Sequence, residues 1–141
     1  MKHFISYVFI IFCLLFILSC EEKKDLLMGK WERFGDQMAG AVIRVDRVGV
    51  SFQGILLHVS GELELSGFVA NDIKWNGVIK KDDESYEGQD LEKRQNTDGH
   101  VISSDYVPVR FRLLSDDILE VSSINDSPEK LGNVQKWKRI E

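Results

Sequence analysis

The chain has 141 residues, 43% of them hydrophobic and 29% charged, with a formal net charge of −5. That length argues for one domain rather than several. The charges are interspersed, with no basic stripe studded by aromatics, which argues against a nucleic-acid binder. Cys13 and Cys20 are the two cysteines, too few for a disulfide framework.

The first element is an apolar run. Phe4 to Leu18 are fifteen residues in which Ser6 is the one polar side chain, after a basic start at Lys2. A membrane-spanning helix needs about 20 apolar residues. Fifteen suits the hydrophobic region of a secretory signal peptide. The run closes on Ile17-Leu18-Ser19-Cys20, which resembles the lipobox of bacterial lipoproteins. The resemblance implies cleavage after Ser19, a diacylglycerol thioether on Cys20 and acylation of the new amine. It also implies a protein lipid-anchored in the bacterial cell envelope, at the outer membrane. Each buried methylene adds about 0.8 kcal/mol of membrane affinity, so two or three chains hold where one does not. The following "EEKKD" (Glu21–Asp25) reads as a solvated tether. It is also similar to acidic signals that send some lipoproteins to the cell surface, and Glu21 is not the aspartate associated with inner-membrane retention. The mature chain from Cys20 would hold 122 residues, with 17 basic and 23 acidic side chains.

Beyond the tether, Asp25–Met28 can form one helical turn capped by Asp25. From there the pattern has period two, as in half-buried strands. "GILLHVS" puts Ile55, Leu57 and Val59 on one face, and "GELELSG" sets Leu63 and Leu65 against Glu62 and Glu64. "DIKWNGVIK" sets Ile73, Trp75 and Ile79 against Asp72, Lys74 and Lys80. Asn76-Gly77 can be a tight turn, but the alternation runs through it, which favours a turn at Asn71-Asp72 instead. Ser85–Arg94 fits a strand or a short helix. "YVPVRFRLL" alternates Val107, Val109, Phe111 and Leu113 with Arg110 and Arg112, and Pro108 argues for an edge or a bulge at that strand's start. "DILEVSSI" and "NVQKWKRI" continue the theme. Asp98-Gly99 and Ser115-Asp116-Asp117 read as hairpin turns, and "NDSPEKLG" as a longer loop.

Eight or nine short strands joined by hairpins, with no long helix, predict an all-β fold. Its simplest closure is an antiparallel up-and-down barrel, which also removes exposed strand edges. The ends of the domain then carry a second resemblance. "GKWERF" matches the Gly-x-Trp of the lipocalins at Gly29 and Trp31, and "QKWKRI" is similar to the last strand of small bacterial lipocalin-like lipoproteins. The resemblance implies a lipocalin-like barrel in which Trp31 packs across the closed end and Arg139 lies over it. No lipocalin disulfide or second conserved loop is visible. The expected organisation is a signal peptide over 1–19, a lipidated tether with a short turn over 20–28 and a β-barrel over 29–141.

Catalytic chemistry has little to work with here. "GVSFQG" is one residue too long for a nucleophile elbow. His58 and His100 stand far apart with no fixed spacing to another ligand, so neither a metal nor another cofactor is expected. "KKDDE" and "SDD" suit solvated hairpin tips better than a calcium loop. Phe52, Phe68, Trp75 and Phe111 fall on inward faces; they can line a cavity or fill a dry core, the second being favoured. Two non-enzymatic functions follow. One is a binding module for a small apolar molecule in the envelope. The other is an envelope inhibitor or immunity-type protein, for which Ser66-Gly67 has a faint likeness to the lysozyme-inhibitor lipoproteins.

Overall fold

The computed structural model describes residues 23–124 and 134–141. The lipobox, Cys20 and the "NDSPEKLG" loop lie outside the described residues. Eight strands follow one another: β1 (Gly29–Phe34), β2 (Val42–Val48), β3 (Ser51–His58), β4 (Ile73–Lys80), β5 (Ser85–Gln95), β6 (Val101–Ser115), β7 (Ile118–Ser123) and β8 (Gln135–Arg139). Each pairs antiparallel with the next, and β8 returns to β1, closing the barrel. Of eight or nine expected strands, eight form, and Ser85–Arg94 is strand. The turns at Asp98-Gly99 and Asp116-Asp117 fall where expected.

Inward positions alternate along the strands, as closure demands. Trp31 and Arg33 on β1, Phe52 and Leu56 on β3, Val109, Phe111 and Leu113 on β6, Leu119 and Val121 on β7, and Trp137 on β8 are all buried. The aromatic centre is edge-to-face: the Trp75 ring lies 5.1 Å from Phe111 and 5.0 Å from Trp137. Such pairs contribute about 0.5–1.5 kcal/mol each beyond their area. On β3 the inward set is Phe52, Gly54 and Leu56, which leaves Ile55 and Leu57 half-buried on the outside.

"GELELSG" is not a strand. Gly61–Leu65 form a one-turn helix, α1. It ends in a Schellman motif, with the Gly67 N–H donating to the Glu64 carbonyl at 2.9 Å and the Phe68 N–H to the Leu63 carbonyl at 3.3 Å. Two residues apart are opposite sides of a helix. Leu63 is therefore buried while Leu65 is 69% exposed.

The β4 pattern also departs from simple alternation. Gly54↔Trp75 is followed by Ile55↔Ile73, so Lys74 is an extra residue on β4, and Phe52↔Val78 leaves another extra residue at Asn76-Gly77. These are two β-bulges. Gly77 supplies the left-handed backbone (φ +57) of the second. The first bulge buries Lys74 beside Trp75, and the second shifts the phase so that Val78 points in and Ile79 stands 48% exposed. Lys74 is thus not on a solvent face. The strand does run through Asn76-Gly77, and the turn falls at Ala70-Asn71.

Pro108 lies inside β6 rather than at its start. β7 pairs with β6 only from Val109↔Ser123 onward. The Pro108 carbonyl accepts from the Ile124 N–H at 3.2 Å. The missing N–H of Pro108 therefore faces the place where β7 gives out, a local edge within a closed barrel.

Candidate functional site

The N-terminal turn, the β2–β3, β4–β5 and β6–β7 turns and the C-terminus gather at one end of the barrel, and the longer β1–β2 and β3–β4 connections at the other. The first end is filled. Trp31 is fully buried, its Nε1–H donates to the Leu27 carbonyl at 2.9 Å, and the Arg139 guanidinium lies 4.3 Å from its ring centroid. Arg139 also donates to the carbonyls of Leu26, Met28 and Asp116. Gly29 admits this strap: at φ +128, a Cβ there would stand 2.5 Å from the Glu141 carbonyl and 2.8 Å from Arg139 Nη1. The structure therefore brings Gly29, Trp31 and Arg139 together at the barrel floor.

The floor has a second polar fastening. Asp25 accepts from the Leu27 N–H at 2.9 Å, from Lys80 Nζ at 3.1 Å and from the Tyr86 hydroxyl. Burial pushes the Asp25 carboxyl up, but these bonds outweigh it and hold the group below the usual carboxylate range. Burial, reinforced by the Asp25 hydrogen bond, drives the Tyr86 phenol far above its ordinary value. Asp25 thus caps its turn and ties the N-terminal segment to β4 and β5.

The other end holds a partly open cavity of about 580 Å³. Leu63 and Phe68, from α1 and its C-terminal turn, meet Val107, Val109 and Val121 from the barrel wall. Among these apolar groups sits a buried polar network. Lys74 Nζ donates to Asp90 Oδ1 and to the Leu91 carbonyl at 2.7 Å. Gln135 Nε2 donates to Asp90 Oδ2 at 2.9 Å, and Gln135 Oε1 accepts from Trp137 Nε1 at 3.2 Å. Burial holds the Lys74 ammonium below the usual lysine range, with Asp90 pulling it partly back. Phe68 lies between two cations, Lys74 Nζ at 5.1 Å and Lys93 Nζ at 5.2 Å from its ring. Lys93 in turn donates to Asp72 at 2.6 Å and to the Gly67 carbonyl at 3.1 Å, pinning the α1 turn over the barrel. Arg33 pairs with Asp36 at 2.7 Å and stacks 5.7 Å from the Trp137 ring.

The four inward aromatics fill the core rather than leave it open. All four belong to the buried core, and Phe68 also lines the cavity. His58 and His100 are both exposed, and among the described residues no cluster of three or more histidine, cysteine or carboxylate side chains could hold a metal. Ser51, in "GVSFQG", donates to the Val48 carbonyl at 3.1 Å across the β2–β3 turn. Among the described residues no helix is long and apolar enough to cross a membrane.

Sequence reasoning missed Lys74, Asp90 and Gln135, which lie on three strands. Period-two patterning reads a strand lysine as solvent-facing, and nothing local announces its partner. The buildable signal was Gly67: a Ser-Gly pair closing a short Glu/Leu run suits a helix C-terminus.

Fold and site together define an eight-stranded up-and-down barrel with a filled floor and an interior pocket at the opposite end. Comparison with known proteins gives no matching family model, no matching curated protein and no matching solved structure.

Proposed function

We propose that this chain is a lipid-anchored envelope lipoprotein whose lipocalin-like barrel binds one small, largely apolar molecule and does not transform it. The cavity carries this reading. Its volume of about 580 Å³ falls within the roughly 300–1,000 Å³ of small-molecule sites, which combine apolar walls with a few fixed polar groups. Leu63, Phe68, Val107, Val109 and Val121 supply the walls. The polar network has donors to spare. Among the described residues Lys74 uses two of its three N–H groups and Gln135 one of its two amide hydrogens. A ligand that ends in an oxygen acceptor suits that surplus. The test is binding of a hydrophobic fluorescent probe to the full-length chain in detergent. Saturable, displaceable binding at one site is expected. Binding that stays linear with probe concentration would remove the proposal. The anchor is checked separately by palmitate labelling, which Cys20→Ala should abolish.

A second reading, an envelope inhibitor or immunity-type protein, draws on Leu65 and Val69, which are 69% and 59% exposed on the α1 connection. Ser66 and Gly67 themselves close α1, with Ser66 Oγ donating to the Glu62 carbonyl at 2.7 Å. Any partner contact would therefore fall on their apolar neighbours.

A further inference from the structure

The barrel floor has two unlike halves. Strand order sets its rim as the β8–β1 ends, then the β2–β3, β4–β5 and β6–β7 turns. The last two turns are acidic and exposed, with Asp82, Asp83 and Glu84 in one and Asp116 and Asp117 in the other. The other half of the rim is apolar. Val48 and Val50 at the β2–β3 turn are 52% and 90% exposed, and Ile140 after β8 is 46% exposed. Hairpin tips usually carry Asn, Gly or Asp, whereas this one sets a valine on each side of Gly49. β2 pairs with β1 only as far as Val45↔Gly29, so Arg47 and Val48 project past the start of β1. Arg47 stands at the base of the tip, its guanidinium 5.1 Å from the Phe52 ring centroid, and makes no ion pair among the described residues.

We propose that this half of the floor docks on the lipid bilayer that holds Cys20, with Val48, Val50 and Ile140 in the interface and Arg47 among the lipid phosphates. The inference rests on the lipid-anchored reading of Cys20. Chain length carries it. Asp25 is fastened to the floor by Lys80 and Tyr86, and Cys20 stands five residues before it. Five residues reach at most about 18 Å, so the floor stays within that distance of the membrane. The mouth does not. β3 alone is eight residues, about 25 Å of strand, and a tilt of roughly 40° leaves about 20 Å between the two ends of the barrel. An apolar tip backed by a cation matches how surface-bound chains enter a bilayer, with apolar groups at the acyl boundary and Arg or Lys among the headgroups. The contact is small, but the tether makes it intramolecular, so it has to orient the barrel and not to capture it. Lipid phosphates repel the acidic half, which tips the barrel onto Val48 and Val50. The cavity mouth then faces away from the anchoring membrane, and a ligand enters from the aqueous side.

The full-length chain, expressed in a bacterial host and purified in detergent, tests the orientation. Val50→Cys and Leu65→Cys replace exposed aliphatic residues at opposite ends of the barrel. Each variant is labelled with a thiol-reactive fluorophore and reconstituted on phosphatidylethanolamine–phosphatidylcholine vesicles that contain a spin-labelled lipid as quencher. Quenching at position 50 should exceed that at position 65 by at least about threefold. Adding Arg47→Glu should reduce it at position 50 and leave position 65 unchanged. The number of reactive thiols reports on the anchor. With Cys20 lipidated and residues 1–19 removed, the substituted cysteine is the one thiol that labels. One reactive thiol with equal quenching at the two positions, or with stronger quenching at position 65, would overturn the docking and leave the anchor standing. More than one reactive thiol would overturn the anchor, and the docking with it.

Discussion

Lys74 and Asp90 meet as an ion pair in which each side chain is only 4% exposed, although they lie on neighbouring strands sixteen residues apart in sequence. A charge pair so buried is costly to assemble and costlier to break. Removing one partner strands the other charge and typically costs about 3–5 kcal/mol, whereas replacing both with apolar side chains is often neutral. Asp90→Leu should therefore lower the urea midpoint sharply, and Lys74→Met with Asp90→Leu should recover most of the loss. A double variant as unstable as the single one would show that Gln135 and the Leu91 carbonyl, not the pair itself, set the cost. If the network orients a ligand, the double variant should be well folded yet weak in probe binding.

The same pair shows where reading the sequence stops working. Alternation located Val107, Val109, Phe111 and Leu113 correctly, because β6 keeps register with β5 over that stretch. It failed on β4, where two bulges insert single residues and each resets the phase. A bulge depends on what the neighbouring strand can accept. Gly54 leaves room for the Trp75 ring, where a Cβ would lie 2.8 Å from Trp75 Cε3. That fit is invisible from either strand alone. The α1 segment failed for a different reason: its alternation reads as a strand, but over five residues the turn-forming hydrogen bonds at Gly67 and Phe68 outweigh the pattern and leave Leu65 exposed. The barrel floor was legible because Gly29, Trp31 and Arg139 lie in short motifs on the first and last strands, which closure sets side by side. The pocket was not, since its polar groups are scattered over β4, β5 and β8.

Asp25 gives a pH dependence with a definite sign. Its folded-state affinity for protons is reduced, so in acid the unfolded chain binds a proton first. That stability is fully present above the ordinary aspartate value of about 3.9 and is lost as pH falls from there through the lower folded-state value. Tyr86 works at the other limb. Its phenol is raised in the fold, so that contribution is present below about pH 10, where an ordinary tyrosine ionises, and is lost above it. Asp25→Asn should flatten the acid limb of a stability-versus-pH curve, and Tyr86→Phe the alkaline limb. Because the two groups share a hydrogen bond, Tyr86→Phe should also weaken the acid limb, and Asp25→Asn should remove part of the alkaline one while burial keeps the rest. Urea midpoints taken from pH 3 to 11 would expose either claim.

The floor is argued from Trp31 and Arg139. Trp31 is fully buried and hydrogen-bonded, so Trp31→Ala should cost about 3–5 kcal/mol. Arg139→Lys keeps the charge but loses the planar fork that reaches three carbonyls, and should cost about 1–3 kcal/mol. Gly29→Ala adds backbone strain to a collision with the Glu141 carbonyl, and should be worse than a typical exposed glycine substitution. Thermal unfolding monitored by tryptophan fluorescence reads all three. A loss under about 1 kcal/mol for Trp31→Ala would mean the floor is held elsewhere.

Val109 separates a hollow barrel end from a filled one. It is 4% exposed, lines the cavity and lies opposite Gly88, which adds no side chain beside it. In a filled core, Val109→Phe would overpack the interior and cost about 1–3 kcal/mol. In a cavity of about 580 Å³ the added ring has somewhere to go, so stability should stay close to that of the parent chain. The space it takes is the space a ligand would need. Probe affinity should then fall at least about tenfold, equivalent to 1.4 kcal/mol of binding free energy. Retained stability with lost binding is the expected result, measured as an unchanged urea midpoint beside a weakened titration. Lost stability with unchanged binding would place the probe elsewhere and leave the barrel interior packed.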